Sequence, residues 1–400
     1  MQTSNKHARP TPLNAHLMAA ASIWVGALNA FQQARQKNFD WHPSLRDKAS
    51  ELMAKIEQAD PQAVETALKI QAEERLKIFL DGVQRYQDTP RQKGHALPQV
   101  IAKCGAVSVH DYGGSGPLVF IIPSLVNPAH ILDLEPQNSL IGHLKNNGLH
   151  PLLLNWGWPD EEKAFDLDAY IGKRLLPLID DCVAQFNKPM AALGYCMGGM
   201  LALAAAVLRP KHISKLALLA TPWDFHGDGD GPAQSMQQYA REMEPVMKTQ
   251  GVLPAEALQL LFASLDPTLV ERKFRHFAEL EKGSSQARAF VALEDWANSG
   301  APLSAPAARD MFNKCYGDNL TAKGEWTVAG TAIRPELLNI PALAFIPQND
   351  RIVPPQSARA LAEALKADIQ MPHAGHVGMV IGRRAKSECW QPLTDWLLKN

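Results

Sequence analysis

The sequence predicts an α/β fold built on a mostly parallel, doubly wound sheet. Four apolar runs have the length and composition of buried strands, at residues 118–122, 151–155, 190–193 and 215–220. Helical stretches alternate with these runs, at residues 139–147, 167–185 and 200–208. Because consecutive parallel strands need a crossover connection, this alternation favours a parallel sheet with helices on both faces.

The segment 194–199 (Gly-Tyr-Cys-Met-Gly-Gly) joins the third of these strands to the helix that follows. A G-x-C-x-G sequence between a strand and a helix has the layout of a nucleophile elbow, which exposes its central residue at the top of an α/β-hydrolase sheet. Gly194 and Gly198 carry no Cβ, so the helix and the strand can approach closely around Cys196. The sequence therefore predicts an α/β-hydrolase fold in which Cys196 is the nucleophile.

An acid and a histidine follow Cys196 in the order that α/β hydrolases use. Asp350 lies in a loop after the apolar run 341–346, which has the character of a buried strand. His376 lies in a second loop, after a short predicted strand at 368–371. Taken singly, Cys196 could be a small buried hydrophobe and Asp350 a turn former. Their order, and their positions after strands, predict a catalytic triad.

The residue types of this triad indicate acyl transfer through a thioester on Cys196. An imidazole can take the proton of a thiol, and a helix N-terminus favours the thiolate. The carboxylate would hold the imidazole in the right tautomer and stabilise the imidazolium. For the oxyanion of the intermediate we expect two main-chain donors, the N–H of Met197 and that of Val126, with Asn127 beside them as a substrate-binding residue.

Composition and charge narrow the class of protein. The 40 basic and 41 acidic residues give a formal net charge of −1, which implies no general attraction to nucleic acid or to anionic membranes. The five cysteines show no C-x-x-C spacing, which argues against a disulfide framework and against a structural metal site. A reducing, cytoplasmic compartment fits a reactive thiol best.

The chain is expected to divide near residue 100. Residues 1–100 are predicted to form an N-terminal helical region, and residues 101–400 the catalytic domain. Polar helical segments at about 224–339 interrupt the alternation and are assigned to an inserted cap. An amphipathic helix at 16–31 is too short and too interrupted to span a bilayer, so no transmembrane segment is predicted. Residues 1–12 are expected to lack regular structure, and residues 89–95 are expected to form a linker.

The chain resembles the polyhydroxyalkanoate synthases, whose lipase-like box carries a cysteine as segment 194–199 does. The resemblance runs from about residue 85 to the C-terminus. The motifs that carry it lie at 123–134 (from Pro-Ser-Leu-Val-Asn-Pro to Ile-Leu-Asp-Leu), 155–160 (Asn-Trp-Gly-Trp-Pro-Asp), 220–225 (Ala-Thr-Pro-Trp-Asp-Phe), 294–296 (Glu-Asp-Trp), 316–320 (Tyr-Gly-Asp-Asn-Leu), 350–354 (Asp-Arg-Ile-Val-Pro) and 375–378 (Gly-His-Val-Gly).

This resemblance implies (R)-3-hydroxyacyl-CoA as the substrate and a polyester chain grown on Cys196, with CoA released as a product. It implies that His376 deprotonates the thiol and that the aspartate helps to activate the incoming 3-hydroxyl. No metal or tightly bound cofactor is expected. The resemblance further implies action at the surface of polyester granules in the cytoplasm, as a homodimer or with a partner subunit.

Three functions stay open from the sequence. The first is a synthase. The second is a cysteine hydrolase or thioesterase on the same scaffold, acting on hydroxyacyl esters or thioesters. The third is a granule-associated or regulatory protein with a degenerate site. Two departures from the family keep the second open, because Arg351 stands where many members have His and Pro355 where Trp is common.

Overall fold

The computed structural model describes residues 10–36, 38–39, 41, 45–91 and 98–399. The segments that were expected to lack regular structure and to form a linker fall largely outside these residues, at 1–9 and 92–95. The helices, in chain order, are α1 Leu13–Arg35, α2 Arg46–Gln58, α3 Pro61–Asp88, α4 Leu140–Asn146, α5 Leu167–Tyr170, α6 Leu176–Phe186, α7 Met197–Leu208, α8 Asp230–Gln250, α9 Ala255–Leu265, α10 Leu269–Glu279, α11 Ser285–Asn298, α12 Ala305–Arg309, α13 Pro355–Ala364, α14 Gly378–Ile381 and α15 Gln391–Leu398.

An eight-stranded sheet organises the C-terminal part of the chain, in the spatial order β1-β2-β4-β3-β5-β6-β7-β8. Strands β1 and β2 pair antiparallel with their neighbours, and all the other pairs are parallel. The predicted mostly parallel sheet is therefore confirmed. Its strands are β1 Val100–Cys104, β2 Val107–Asp111, β3 Leu118–Ile122, β4 His150–Asn155, β5 Met190–Tyr195, β6 Ile213–Leu219, β7 Ala342–Phe345 and β8 Asp368–Gln370.

The burial of the central strands explains their continuous apolar sequence. Every residue of β3 and of β5 is buried, because helices cover both faces of a parallel sheet. Strands β1 and β2 were not predicted, because β1 is a short, partly exposed segment at the edge of the sheet and β2 mixes apolar with polar residues. Gly105, with φ at +61°, forms the tight turn between them.

The chain forms two compact units. The first comprises Met1–Lys93 and Gln259–Asn298, and the second comprises Gly94–Leu258 and Ser299–Asn400. Residues 259–298, which lie within the predicted cap, are thus grouped with the N-terminal helices. The predicted boundary at residue 100 and the cap bounds of 224–339 stay predictions. None of the helices in the described ranges combines the length and the apolar character that crossing a bilayer requires.

The first unit has a core of its own, formed by α1, α3, α10 and α11. Phe79 and Tyr86 of α3 are fully buried against Phe274 of α10. The hydroxyl of Tyr86 donates a hydrogen bond to Asp295 of α11, and the guanidinium of Arg91 forms an ion pair with the same carboxylate. Residues distant in sequence therefore join the N-terminal helices to the 259–298 segment.

Candidate active site

Cys196 occupies the turn between β5 and α7, with φ at +56° and ψ at −130°. A residue with a Cβ adopts this conformation only where the surrounding structure enforces it, at a cost of about 1–3 kcal/mol. Here the main-chain N–H of Cys196 donates to the carbonyl of Leu219 in the neighbouring strand β6, at 2.8 Å. The sulfur is half-buried, so it can meet a substrate. The geometry is that of the elbow predicted from sequence.

The elbow requires glycine at positions 194 and 198, because neighbouring main-chain atoms lie too close for a Cβ. A Cβ added to Gly198 would lie 2.1 Å from the carbonyl oxygen of Ile122, the last residue of β3. A Cβ added to Gly194 would lie 2.3 Å from the Cα of Gly199. Both distances are far below van der Waals contact. Helix α7 consequently begins directly against the ends of β3 and β5, which places its first N–H groups beside the thiol.

Asp350 and His376 meet at the carboxyl ends of β7 and β8. The Nδ1 atom of His376 lies 2.7 Å from Oδ2 of Asp350, and the carboxylate is fully buried. The other carboxylate oxygen accepts from the N–H groups of Ile352 and Val353, at 2.8 and 2.9 Å. Since Asp350 is thus fixed by its own loop, its remaining oxygen sets the orientation of the imidazole.

His376 also interacts with the side chain of Cys196. Burial of the imidazole disfavours its charged form, but three interactions outweigh this effect. These are the negative charge of Cys196, the hydrogen bond to Asp350 and the side-chain interaction with Cys196, which together raise the pKa of His376 to about 10. The arrangement favours the protonated form of the imidazole. The structure thus brings all three predicted triad residues together, while their catalytic roles stay a prediction.

The predicted oxyanion donors lie on two sides of the elbow. Met197 is the first residue of α7, where a main-chain N–H has no acceptor within the helix. Val126 lies in the loop after β3, and its N–H donates to Oγ of Ser124 at 3.2 Å. That long bond must be shared or released for Val126 to serve an oxyanion, so its role stays a prediction.

Asn127, the predicted substrate-binding residue, carries an unsatisfied acceptor. Its Oδ1 atom is buried and has no hydrogen-bond partner within the described ranges. Buried polar atoms are nearly always paired in native proteins, so such an atom needs an explanation. A bound substrate with a donor group would supply the missing partner.

The alternative candidates for the nucleophile and the base lie in other environments. Burial raises the pKa of the Cys182 thiol to about 12, which keeps it protonated and unreactive at neutral pH. His373 is exposed, and its Nδ1 atom lies 3.2 Å from Oε1 of Gln348. Neither residue has the contacts that Cys196 and His376 share.

Two tyrosines near the site were not singled out from sequence as functional residues. The ring of Tyr195 lies 5.2 Å from the ring of His376, centroid to centroid, and its hydroxyl donates to the carbonyl oxygen of His376 at 3.4 Å. Tyr316 lies within the electrostatic influence of Cys196. Two sequence features could have pointed to them, the position of Tyr195 inside the elbow and that of Tyr316 in the motif at 316–320.

Comparisons with known proteins agree with this fold. The family described as alpha/beta hydrolase fold matches residues 186–382. The poly(3-hydroxyalkanoate) polymerase subunit PhaC of Haloferax mediterranei is 26% identical over 289 residues, covering 70% of this chain and 58% of that protein. The same subunit from Thiocystis violacea is 26% identical over 286 residues, covering 70% of this chain and 80% of that protein. This chain is similar to the PhaC polymerases over about 70% of its length.

The matched region is only part of the length of some of these PhaC proteins. The matches span 58% and 63% of the PhaC proteins of Haloferax mediterranei and Haloarcula marismortui, so the chain covers less than two thirds of either. Among solved structures, the epoxide hydrolase of Bacillus megaterium in complex with an inhibitor superposes with a TM-score of 0.51 at 16% identity, covering 75% of this chain and all of that one. The fold is that of the α/β hydrolases, as predicted.

Proposed function

We propose that this chain is an acyltransferase that polymerises (R)-3-hydroxyacyl groups from CoA thioesters into a polyester. The observation that carries the proposal is the contact of Cys196 with the buried His376–Asp350 pair, at a strained elbow, in a chain related to the PhaC polymerases. A thiolate attacks a thioester carbonyl readily, and the product is itself a thioester, so the exchange needs no metal or bound cofactor.

In the first half-reaction, the thiolate of Cys196 attacks the carbonyl carbon of the hydroxyacyl-CoA. The oxyanion that forms is stabilised by the N–H of Met197 and by a donor from the Val126 loop. The C–S bond to CoA then breaks, and the imidazolium of His376 donates its proton to the departing thiolate. The hydroxyacyl group remains on Cys196 as a thioester.

In the second half-reaction, the 3-hydroxyl of another hydroxyacyl group attacks the thioester on Cys196. The imidazole of His376 takes the hydroxyl proton, an ester bond forms, and the thiolate is released. Asp350 stabilises the imidazolium in both steps, because its Oδ2 accepts from Nδ1. We further propose that the enzyme works in the cytoplasm at the surface of its polyester granule, as a homodimer or with a partner subunit.

The test is to add (R)-3-hydroxybutyryl-CoA to the purified protein and to follow free thiol and turbidity together. Polymerisation releases CoA and produces insoluble polyester, so both signals rise. Thiol release with only soluble hydroxybutyrate would overturn the proposal in favour of a cysteine hydrolase. No thiol release, and an unchanged cellular role for Cys196→Ala, would instead indicate a protein with a degenerate site.

A further inference from the structure

The chain has six tyrosines, and all of them lie in described residues. The hydroxyl of Tyr316 has no hydrogen-bond partner within the described part of the chain, and its oxygen is not sealed from solvent. The residue is half-buried, so its hydroxyl is available to a ligand that carries an acceptor. Four of the other hydroxyls donate hydrogen bonds, Tyr86 to Asp295, Tyr112 to Asp133, Tyr195 to the His376 carbonyl and Tyr239 to the Ala257 carbonyl, while Tyr170 interacts with Ser304.

Tyr316 is held in place by the segment 224–226. Its ring contacts that of Phe225 at 4.8 Å between centroids, and its carbonyl lies 2.8 Å from Nε2 of His226. Asn319, three residues further along, accepts from the N–H of Phe225 at 3.0 Å and donates to Oδ1 of Asp224 at 2.8 Å. These contacts fix the main chain and the ring, so the free hydroxyl is a consequence of placement rather than of a loose side chain.

This anchor follows the strand that borders the nucleophile. Segment 224–226 continues from β6, whose last residue, Leu219, accepts the N–H of Cys196. Burial raises the pKa of Tyr316, and the negative charge of Cys196 raises it further. The phenol therefore remains protonated at neutral pH and can act as a hydrogen-bond donor.

The Val126 loop and the segment that anchors Tyr316 follow strands on opposite sides of β5. Strand β5, which leads to Cys196, lies between β3 and β6. The Val126 loop follows β3, and the Tyr316 anchor follows β6. An acyl group on Cys196 whose carbonyl oxygen faces the β3 side presents its remaining substituents toward the β6 side, where the anchor of Tyr316 lies.

We propose that the hydroxyl of Tyr316 donates a hydrogen bond to the 3-hydroxyl oxygen of the acyl group on Cys196, and thereby selects hydroxyacyl over plain acyl substrates. The inference deepens the proposed function and rests on it for the identity of the acyl group. One neutral hydrogen bond corresponds to a preference of up to about tenfold. Selection of this kind arises because a substrate without the hydroxyl leaves the tyrosine unpaired.

The test compares acylation of Cys196 by p-nitrophenyl (R)-3-hydroxybutyrate and by p-nitrophenyl butyrate, from the initial release of nitrophenol. The decisive quantity is the ratio of the two acylation rates. We expect this ratio to fall by about five- to tenfold in Tyr316→Phe. It should stay at the wild-type value in Tyr239→Phe, a matched control in which the lost hydroxyl pairs with Ala257 instead.

A wild-type ratio in Tyr316→Phe would overturn the inference, whether or not both rates had dropped together. Aryl esters test the contact at Cys196 without any polymerisation, so this failure is distinct from failure of the proposed function. A protein that hydrolyses hydroxybutyryl-CoA without making polyester would refute the proposed polymerase, and the ester ratio would still decide the role of Tyr316.

Discussion

The main-chain N–H of Asn349 donates to the carbonyl of Ala374 at 3.0 Å. A second bond of 3.0 Å joins Gln348 N–H to the carbonyl of Pro372. Together they tie the loop after β7 to the loop after β8, so the two loops are expected to move together. The side-chain contact between Asp350 and His376 is thus supported by the main chain on both sides, which keeps the acid and the base in register before substrate arrives.

Replacement of the proposed nucleophile should eliminate acylation. Cys196→Ala removes the only atom able to hold the acyl group in this mechanism, so we expect no adduct after incubation with hydroxybutyryl-CoA. Peptide mapping by mass spectrometry checks this result. Cys182→Ala is the matched control and should keep the wild-type adduct, because its thiol is buried and protonated. An adduct on Cys182 would refute the assignment.

Replacement of the two neighbouring histidines should have very different effects on the rate of acylation. His376→Ala removes the group that accepts and returns the proton, and we expect acylation to slow by about a hundredfold to ten-thousandfold. His373→Ala removes an exposed ring that contacts Gln348 and should leave the rate within about twofold. Single-turnover CoA release measures both. Loss of activity in His373→Ala alone would move the base to that residue.

Asp350→Asn should impair the enzyme while keeping its fold. The amide oxygen can still accept from the N–H groups of Ile352 and Val353, but the side chain can no longer stabilise an imidazolium. We expect a loss in acylation rate of about a thousandfold or more. Asp368→Asn, at an exposed position in β8, is the control and should behave as wild type. Equal rates for the two variants would exclude Asp350 from the triad.

The protonation of His376 provides a test by pH. Because its pKa is raised from 6.5 to about 10, the ring should stay cationic at pH 8 and lose its proton only near pH 10. In Cys196→Ser the neutral hydroxyl supplies no negative charge, so burial is opposed mainly by Asp350 and the pKa should fall. The NMR chemical shifts of the ring nitrogens in a histidine-labelled sample report the titration midpoint of His376 in the wild-type protein and in Cys196→Ser. Identical midpoints would show that the thiolate does not set this pKa.

The close approach of α7 to β3 predicts a stability difference between two glycines. Gly198→Ala places a methyl group 2.1 Å from the carbonyl oxygen of Ile122, and the required shift should lower the free energy of unfolding by about 1–3 kcal/mol. Gly231→Ala in α8 meets no atom within 4 Å and should change it by less than about 0.5 kcal/mol. Urea unfolding compares the two. A neutral Gly198→Ala would show that the elbow can widen freely.

Local signals predicted the elbow and the loops of the acid and the histidine. Segment 194–199 encodes a strand, a turn and a helix in consecutive residues, and the structure has α7 begin at Met197 directly after Cys196. The apolar run that predicted the strand before Asp350 is β7, although the strand itself is one residue shorter at each end. Such features depend on neighbours in sequence, so they can be read without knowledge of the fold.

Features that depend on distant partners could not be predicted in this way. The bond between Tyr86 and Asp295 links positions more than two hundred residues apart, and neither position carries a local mark of it. The sequence around Tyr316 likewise gives no sign that its hydroxyl lacks a hydrogen-bond partner among the described residues. The bond from Val126 to Ser124 likewise depends on the path of an irregular loop.

The left-handed conformation of Cys196 has a consequence beyond reactivity. Glycine adopts such angles without penalty, so Cys196→Gly should be more stable toward denaturant than the wild-type protein, while being unable to carry an acyl group. If stability alone determined the residue at this position, glycine would be favoured over the nucleophile. The presence of a cysteine at position 196 therefore indicates that reactivity, and not stability, determines the residue there.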